Sequence, residues 1–118
     1  MQTFRFLEFS VSQDSRDFYK EILSVLKTVQ DYSLKDQLRR AVLSVMLNLA
    51  EGSAIKLDRE FSRFIQLSLG SINEVVACLD VLAFTDQINP ERLQRLYQES
   101  ESIAKQLGGL FKKLTVNS

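Results

Sequence analysis

The sequence predicts an all-α chain folded as an up-down-up-down antiparallel four-helix bundle. Three observations carry this expectation. Only four Gly and one Pro occur in 118 residues, so long stretches run without a helix breaker. Within those stretches apolar residues recur at steps of three and four, the spacing of one helix face. The breaks are short, which favours antiparallel neighbours. Length suits a single domain over residues 1–118. The 45% hydrophobic and 25% charged content is that of an ordinary globular protein.

Residues 1–11 are expected to form an arm, with Phe4, Phe6, Phe9 and Val11 suggesting an extended segment folded over one end of the bundle. The first helix is predicted over 12–30, with Phe18, Ile22, Val25 and Val29 on one stripe and Tyr19, Leu23 and Leu26 beside it. Asp31-Tyr32-Ser33 breaks it. Ser33, with Asp36 three residues on, is close to a capping box.

The second helix is predicted over 34–54, with Leu34, Leu38, Ala41, Val42, Val45 and Leu49 inward and a loose end from Gly52 to Leu57. Asp58 is the expected N-cap of a third helix over 59–83. Its stripe of Phe61, Ile65, Ser68, Ile72, Val75, Leu79 and Leu82 is an a/d repeat. The fourth helix, 90–114, has the clearest start: Asn89 as cap, Pro90 at the first position and Glu91 in the first turn. Leu93, Leu96, Ser100, Ile103, Leu107, Leu110 and Leu114 form its seam. Gly108-Gly109 sits inside it at about 1 kcal/mol each relative to Ala, so close packing or a kink is expected there. A bundle of such helices is a rod roughly 36 Å long.

Composition excludes several chemistries. With no His and one Cys, a single chain cannot supply the common zinc, haem or Cys–His nucleophile sites. No Gly-rich phosphate loop and no strand-borne aromatic pair for stacking bases is visible. No catalytic residue, metal site or cofactor is therefore expected. A lone Cys78 reads as a small hydrophobe and fits a reducing cytoplasm. Met1 to Phe9 lacks an apolar run of signal-peptide length. The most apolar stretch, Phe64 to Thr85, carries Gln66, Asn73, Glu74 and Asp80, too polar for a transmembrane span. A cytoplasmic protein without a membrane partner is expected.

Two features ask for more than a monomer. The second helix is apolar nearly all round from Ala41 to Ala50, and no Lys or Arg falls between Arg63 and Arg92. One bundle core cannot cover both faces of both helices, and a large apolar patch marks an interface, so a homo-oligomer is expected. The polar exceptions form a line: Gln37, Arg40, Ser44, Asn48 and Glu51 share one face, opposite Arg63, Gly70, Ser71 and Glu74. Because an unpaired buried polar group costs roughly 1–3 kcal/mol, a network linking Arg40 or Arg63 to Glu74 or Glu51 through Ser44, Asn48 and Ser71 is predicted. Gly70 would let the two helices approach. A carboxylate site built on Glu51 and Glu74 is the weaker alternative to a network that fixes register.

Fifteen basic against fifteen acidic residues excludes a strongly basic monomer. The distribution is uneven. Residues 34–64 hold six basic side chains against four acidic, residues 65–89 none against three, and residues 90–118 five against three. Lys56, Arg59 and Arg63 would cluster at the turn between helices two and three, and Lys112-Lys113 closes the chain. Repeated around a ring of subunits, such residues would make a basic rim. Arg39, Lys56, Arg59, Arg63, Lys112 and Lys113 are thus the candidate phosphate contacts.

The run from Gln37 to Gly52, QLRRAVLSVMLNLAEG, resembles a signature of bacterial four-helix bundle proteins encoded by intervening sequences in large-subunit ribosomal RNA genes. That family shows an arginine pair, then Ala, a Ser-Ile-Pro segment and Asn-Ile-Ala-Glu-Gly. Glu60-Phe61, Arg63-Phe64, Leu69-Gly70-Ser71 and Glu74 continue the likeness. So do Phe6, Phe9, Val11 and Gln13 in the arm, and Leu107, Leu110 and Lys112-Lys113-Leu114 at the close. Met46 stands where the family usually has Pro, which should reduce any kink. The resemblance implies a ring-shaped homopentamer, an association with ribosomal RNA genes, and no catalytic residues. It also implies kinship with the accessory variability determinant proteins of diversity-generating retroelements, which bind nucleic acid and partner a reverse transcriptase. The expected function is non-enzymatic: an oligomer binding RNA or DNA weakly, or alternatively a scaffold for a reverse transcriptase or ribosome-associated protein.

Overall fold

The computed structural model describes residues 3–116. Residues 1–2 of the predicted arm, and residues 117–118, lie outside the described residues. A short 3₁₀ turn, Arg5–Glu8, precedes four helices: α1 (Ser10–Leu26), α2 (Tyr32–Ser53), α3 (Asp58–Phe84) and α4 (Pro90–Thr115). Among the described residues there is no strand. The helices pack as a bundle measuring 45 × 25 × 22 Å. The α2–α3 seam is the most extensive, α3–α4 follows, and α1–α4 is the sparsest.

The predicted stripes form the core. Phe18, Ile22, Val25, Leu38, Val42, Val45, Leu49, Phe61, Ile65, Ile72, Val75, Leu79, Leu82, Leu96, Ile103 and Leu107 are all buried, so hydrophobic burial holds the four helices together. Leu23, expected beside the core, is exposed, and Leu34 is half-buried.

The helix ends differ from expectation in instructive ways. α2 begins at Tyr32 and its cap is Asp31, whose Oδ1 accepts from the Leu34 backbone N–H at 3.1 Å. Ser33 lies inside the first turn. A carboxylate satisfies an orphan N–H and also meets the positive end of the helix dipole, so it wins the position. Leu57, not Asp58, flanks the start of α3. Asp58 and Glu60 instead fall in the first turn, where their charge is favourable. α4 opens as predicted, with Asn89 accepting from Glu91 and Arg92 N–H groups and Pro90 following.

The arm is not extended. Its 3₁₀ turn leads to Phe9, and α1 already begins at Ser10. It does fold over one end: the Phe9 and Phe61 rings stack at 6.4 Å between centroids. The glycines also redistribute. Gly52, expected in a loose end, is a buried contact point, where an added Cβ would lie 2.6 Å from the Phe64 Cβ and 2.9 Å from the Phe61 ring. Gly70, Gly108 and Gly109 have open space at the Cβ position, so none mediates close packing. α4 continues through its Gly pair, and α2 runs unbroken through Met46.

By length and composition α3 is apolar enough to cross a membrane, with a third of its most apolar window buried in the bundle. Its buried stripe from Phe61 to Leu82 packs in the core of the bundle.

Candidate functional site

The polar line of α2 meets α3 as a hydrogen-bonded seam. Ser44 Oγ and Ser71 Oγ lie 2.8 Å apart. Asn48 Nδ2 donates to Ser44 Oγ at 3.0 Å and to the Ser44 carbonyl at 2.9 Å, and Ser71 Oγ reaches the Leu67 carbonyl. One layer deeper, Ser68 donates to the Val45 carbonyl at 2.9 Å in a fully buried bond between the helices. At the far end of the seam Gln37 donates to the Glu74 carboxylate.

Arg40, Arg63 and Glu51 stay outside this network. Arg40 pairs with Asp36 one turn back at 3.0 Å, because an i,i+4 partner on the same helix is reached at less entropic cost than one across the seam. Arg63 pairs with Glu60 at 3.5 Å and lies over the Phe64 ring at 5.0 Å. Glu51 is exposed near the end of α2, roughly 15 Å along the seam from Glu74 at 1.5 Å per residue. The two carboxylates therefore do not converge within one chain. Among the described residues no group of His, Cys, Asp and Glu could hold a metal ion.

Of the candidate phosphate contacts, five share one end of the bundle. α2 ends and α3 begins there, placing Lys56, Arg59 and Arg63, and α4 ends there with Lys112 and Lys113. The Ser10 hydroxyl bond to Gln106 at 2.8 Å ties the start of α1 to the last turns of α4 at the same end. Lys56, Arg59, Lys112 and Lys113 are exposed and form no ion pair among the described residues. Glu8, Glu51, Asp58 and Glu60 also lie at this end, so its positive excess is modest. Arg39 does not join it. It pairs with Asp36 at 2.9 Å, about 20 Å from the end of α2 by helix rise.

Arg5 is a cation of this end that the sequence pattern did not single out. Its Nε donates to the Ser53 carbonyl at 2.7 Å, and its guanidinium sits 5.0 Å over the Phe61 ring. A basic residue in an aromatic-rich arm was the available signal. The helix-end carbonyl it caps becomes visible only once α2 is known to end at Ser53.

Exposed apolar side chains flank the polar seam. Leu47 is 58% exposed and Leu67 46%, and Phe84 at the opposite end is 71% exposed. Cys78 is buried, and burial pushes its thiol above the ordinary range, which disfavours the reactive thiolate.

The family profile described as 23S rRNA-intervening sequence protein matches residues 8–109. The chain belongs to this family. Among solved structures, the intervening-sequence protein is similar to a protein of unknown function from the S23 ribosomal protein family of Bacteroides thetaiotaomicron VPI-5482. The TM-score is 0.79 at 23% identity, over 86% of this chain and 98% of that one. At that identity the likeness establishes the fold. No curated protein matches the chain.

Proposed function

We propose that this intervening-sequence protein is a non-enzymatic, cytoplasmic bundle that assembles into a ring-shaped homopentamer and binds RNA or DNA weakly through its basic end. The supporting observation is the convergence of Lys56, Arg59, Arg63, Lys112 and Lys113 at one end, with exposed Leu47 and Leu67 along the side. Side-by-side copies would cover the apolar residues and repeat the basic ends on one rim. Each end alone is barely positive, so several are needed to hold a phosphate backbone. Kinship with retroelement accessory proteins would place the same rim on nucleic acid.

The reading is tested with fluorescent RNA and DNA at low salt, where phosphate contacts are strongest. Binding should fall steeply with salt. The Lys112→Glu/Lys113→Glu variant should weaken it across sequences and lower the salt slope by roughly one per lost contact. Absence of binding at low salt would remove the nucleic-acid part.

The exposed Leu47, Leu67 and Phe84 favour a second reading, a scaffold that holds a protein such as a reverse transcriptase or ribosome-associated factor without touching nucleic acid. A protein partner retained after nuclease treatment, together with no low-salt binding, would select it.

A further inference from the structure

The α1–α4 seam is built differently from the other three. It is the sparsest in packing and is crossed by polar links. Ser10 and Asp14 on α1 bond to Gln106 on α4 at 2.8 Å each, Arg95 on α4 pairs with Glu21 on α1 at 3.0 Å, and Arg92 on α4 donates to Ser24 on α1 at 3.0 Å. Among the described residues the buried side-chain atoms without a hydrogen-bond partner all flank this seam: the Ser12 and Ser15 hydroxyls of α1 and the Arg92 Nε of α4. The buried serines of α2, α3 and α4 (Ser53, Ser62, Ser68 and Ser100) all donate to carbonyls.

In the middle of this seam the Glu99 carboxyl of α4 and the Glu21 carboxyl of α1 face one cleft. The two line an open cleft of about 290 Å³ with Asp14, Asp17, Ser102 and Ile103. From α1 the titratable groups facing Glu99 are Asp14, Asp17 and Glu21. From α4 the facing charge is Arg95, already engaged by Glu21. α3, on the other side of α4, adds no titratable side chain to the cleft. Lys20 and Arg92 line the adjoining cleft beside Asp17 and Glu21. One guanidinium thus serves two facing carboxylates. Two carboxylates that face each other across a seam hold together when they share a proton and repel when both are ionised. Burial first, then the contact with Glu21, pushes the Glu99 carboxyl up to about 7, with Arg95 opposing.

We propose that the α1–α4 seam is a proton-operated latch: a proton between Glu21 and Glu99 closes it, and loss of that proton loosens α1 from α4 while the α2–α3 pair stays packed. The seam would then open across the neutral range, where few carboxylates titrate.

Hydrogen exchange of the full chain between pH 5.5 and 8.5, corrected for intrinsic rates, tests this. Protection in α1 and in the facing turns of α4 should fall by about tenfold or more as pH rises, with the α2–α3 amides as a steady internal reference. Glu99→Gln should flatten that dependence, and Glu21→Gln provides the same test if the first variant folds poorly. The proposal is overturned by protection that is flat in pH, by an equal fall in all four helices, or by variants that keep the wild-type profile.

Discussion

Ser44 and Ser71 meet hydroxyl to hydroxyl at 2.8 Å across the α2–α3 seam, and each keeps a second partner. Asn48 donates to Ser44, and Ser71 donates to the Leu67 carbonyl. Losing one hydroxyl therefore strands little. Ser44→Ala and Ser71→Ala should each cost about 0.5–1 kcal/mol, and the double replacement should cost at least about 0.5 kcal/mol less than their sum. Urea unfolding at fixed protein concentration measures this. Strict additivity would show that the contact does not couple the helices.

Gly52 and Gly108 should respond to Ala in opposite directions. At Gly52 the new methyl would meet Phe64 Cβ at 2.6 Å, so α2 and α3 must separate, destabilising the bundle by about 2 kcal/mol. At Gly108 the space is open within a continuous helix, and Ala should stabilise by about 0.5–1 kcal/mol. Thermal unfolding of both variants checks the pair of signs.

Asp86 closes α3 with a left-handed backbone, φ 57°. The Gln87 N–H reaches back to the Leu82 carbonyl at 2.8 Å and the Asp86 N–H to the Ala83 carbonyl at 3.1 Å, the bonding of a Schellman motif. A side chain at that φ carries a steric cost that Gly avoids. Asp86→Gly should raise stability by about 0.5–1 kcal/mol in the same unfolding assay, and a loss of stability would refute the strain.

Glu99 gives stability a pH dependence of definite sign. Its folded carboxyl titrates near 7 against an ordinary 4.5, so the native state holds a proton that the unfolded chain releases between those values. Its contribution is most favourable below about 4.5 and is lost as pH rises to 7. Screening in the open cleft reduces this to on the order of 1 kcal/mol. Glu99→Gln should remove that slope in urea midpoints measured from pH 5 to 8.

Much of the fold was legible because it rests on periodicity. Burial of Phe61, Ile65, Ser68, Ile72, Val75, Leu79 and Leu82 follows from the three-four spacing alone, and Asn89-Pro90 announces α4 without any tertiary information. The misread features depend on what lies across a seam. Gly52 looked like a loose end because nothing near it in sequence reveals that Phe61 and Phe64 return to cover it. Arg40 looked like a network member until Asp36, a nearer partner, claimed it. Helix register brings Ser44, Asn48 and Ser71 within hydrogen-bond distance, since they share the facing sides of adjacent helices. The grouping of Lys112-Lys113 with Lys56 and Arg59 needed the antiparallel topology, because the two sets lie more than fifty residues apart.

The proposed basic rim and the proposed covering of Leu47 and Leu67 both require neighbouring copies. Light scattering on the purified full chain, coupled to size exclusion, measures the mass directly. The expected result is about five times the 13.5 kDa of one chain, persisting on dilution as an obligate interface should. A mass of 13.5 kDa at micromolar concentration would contradict it.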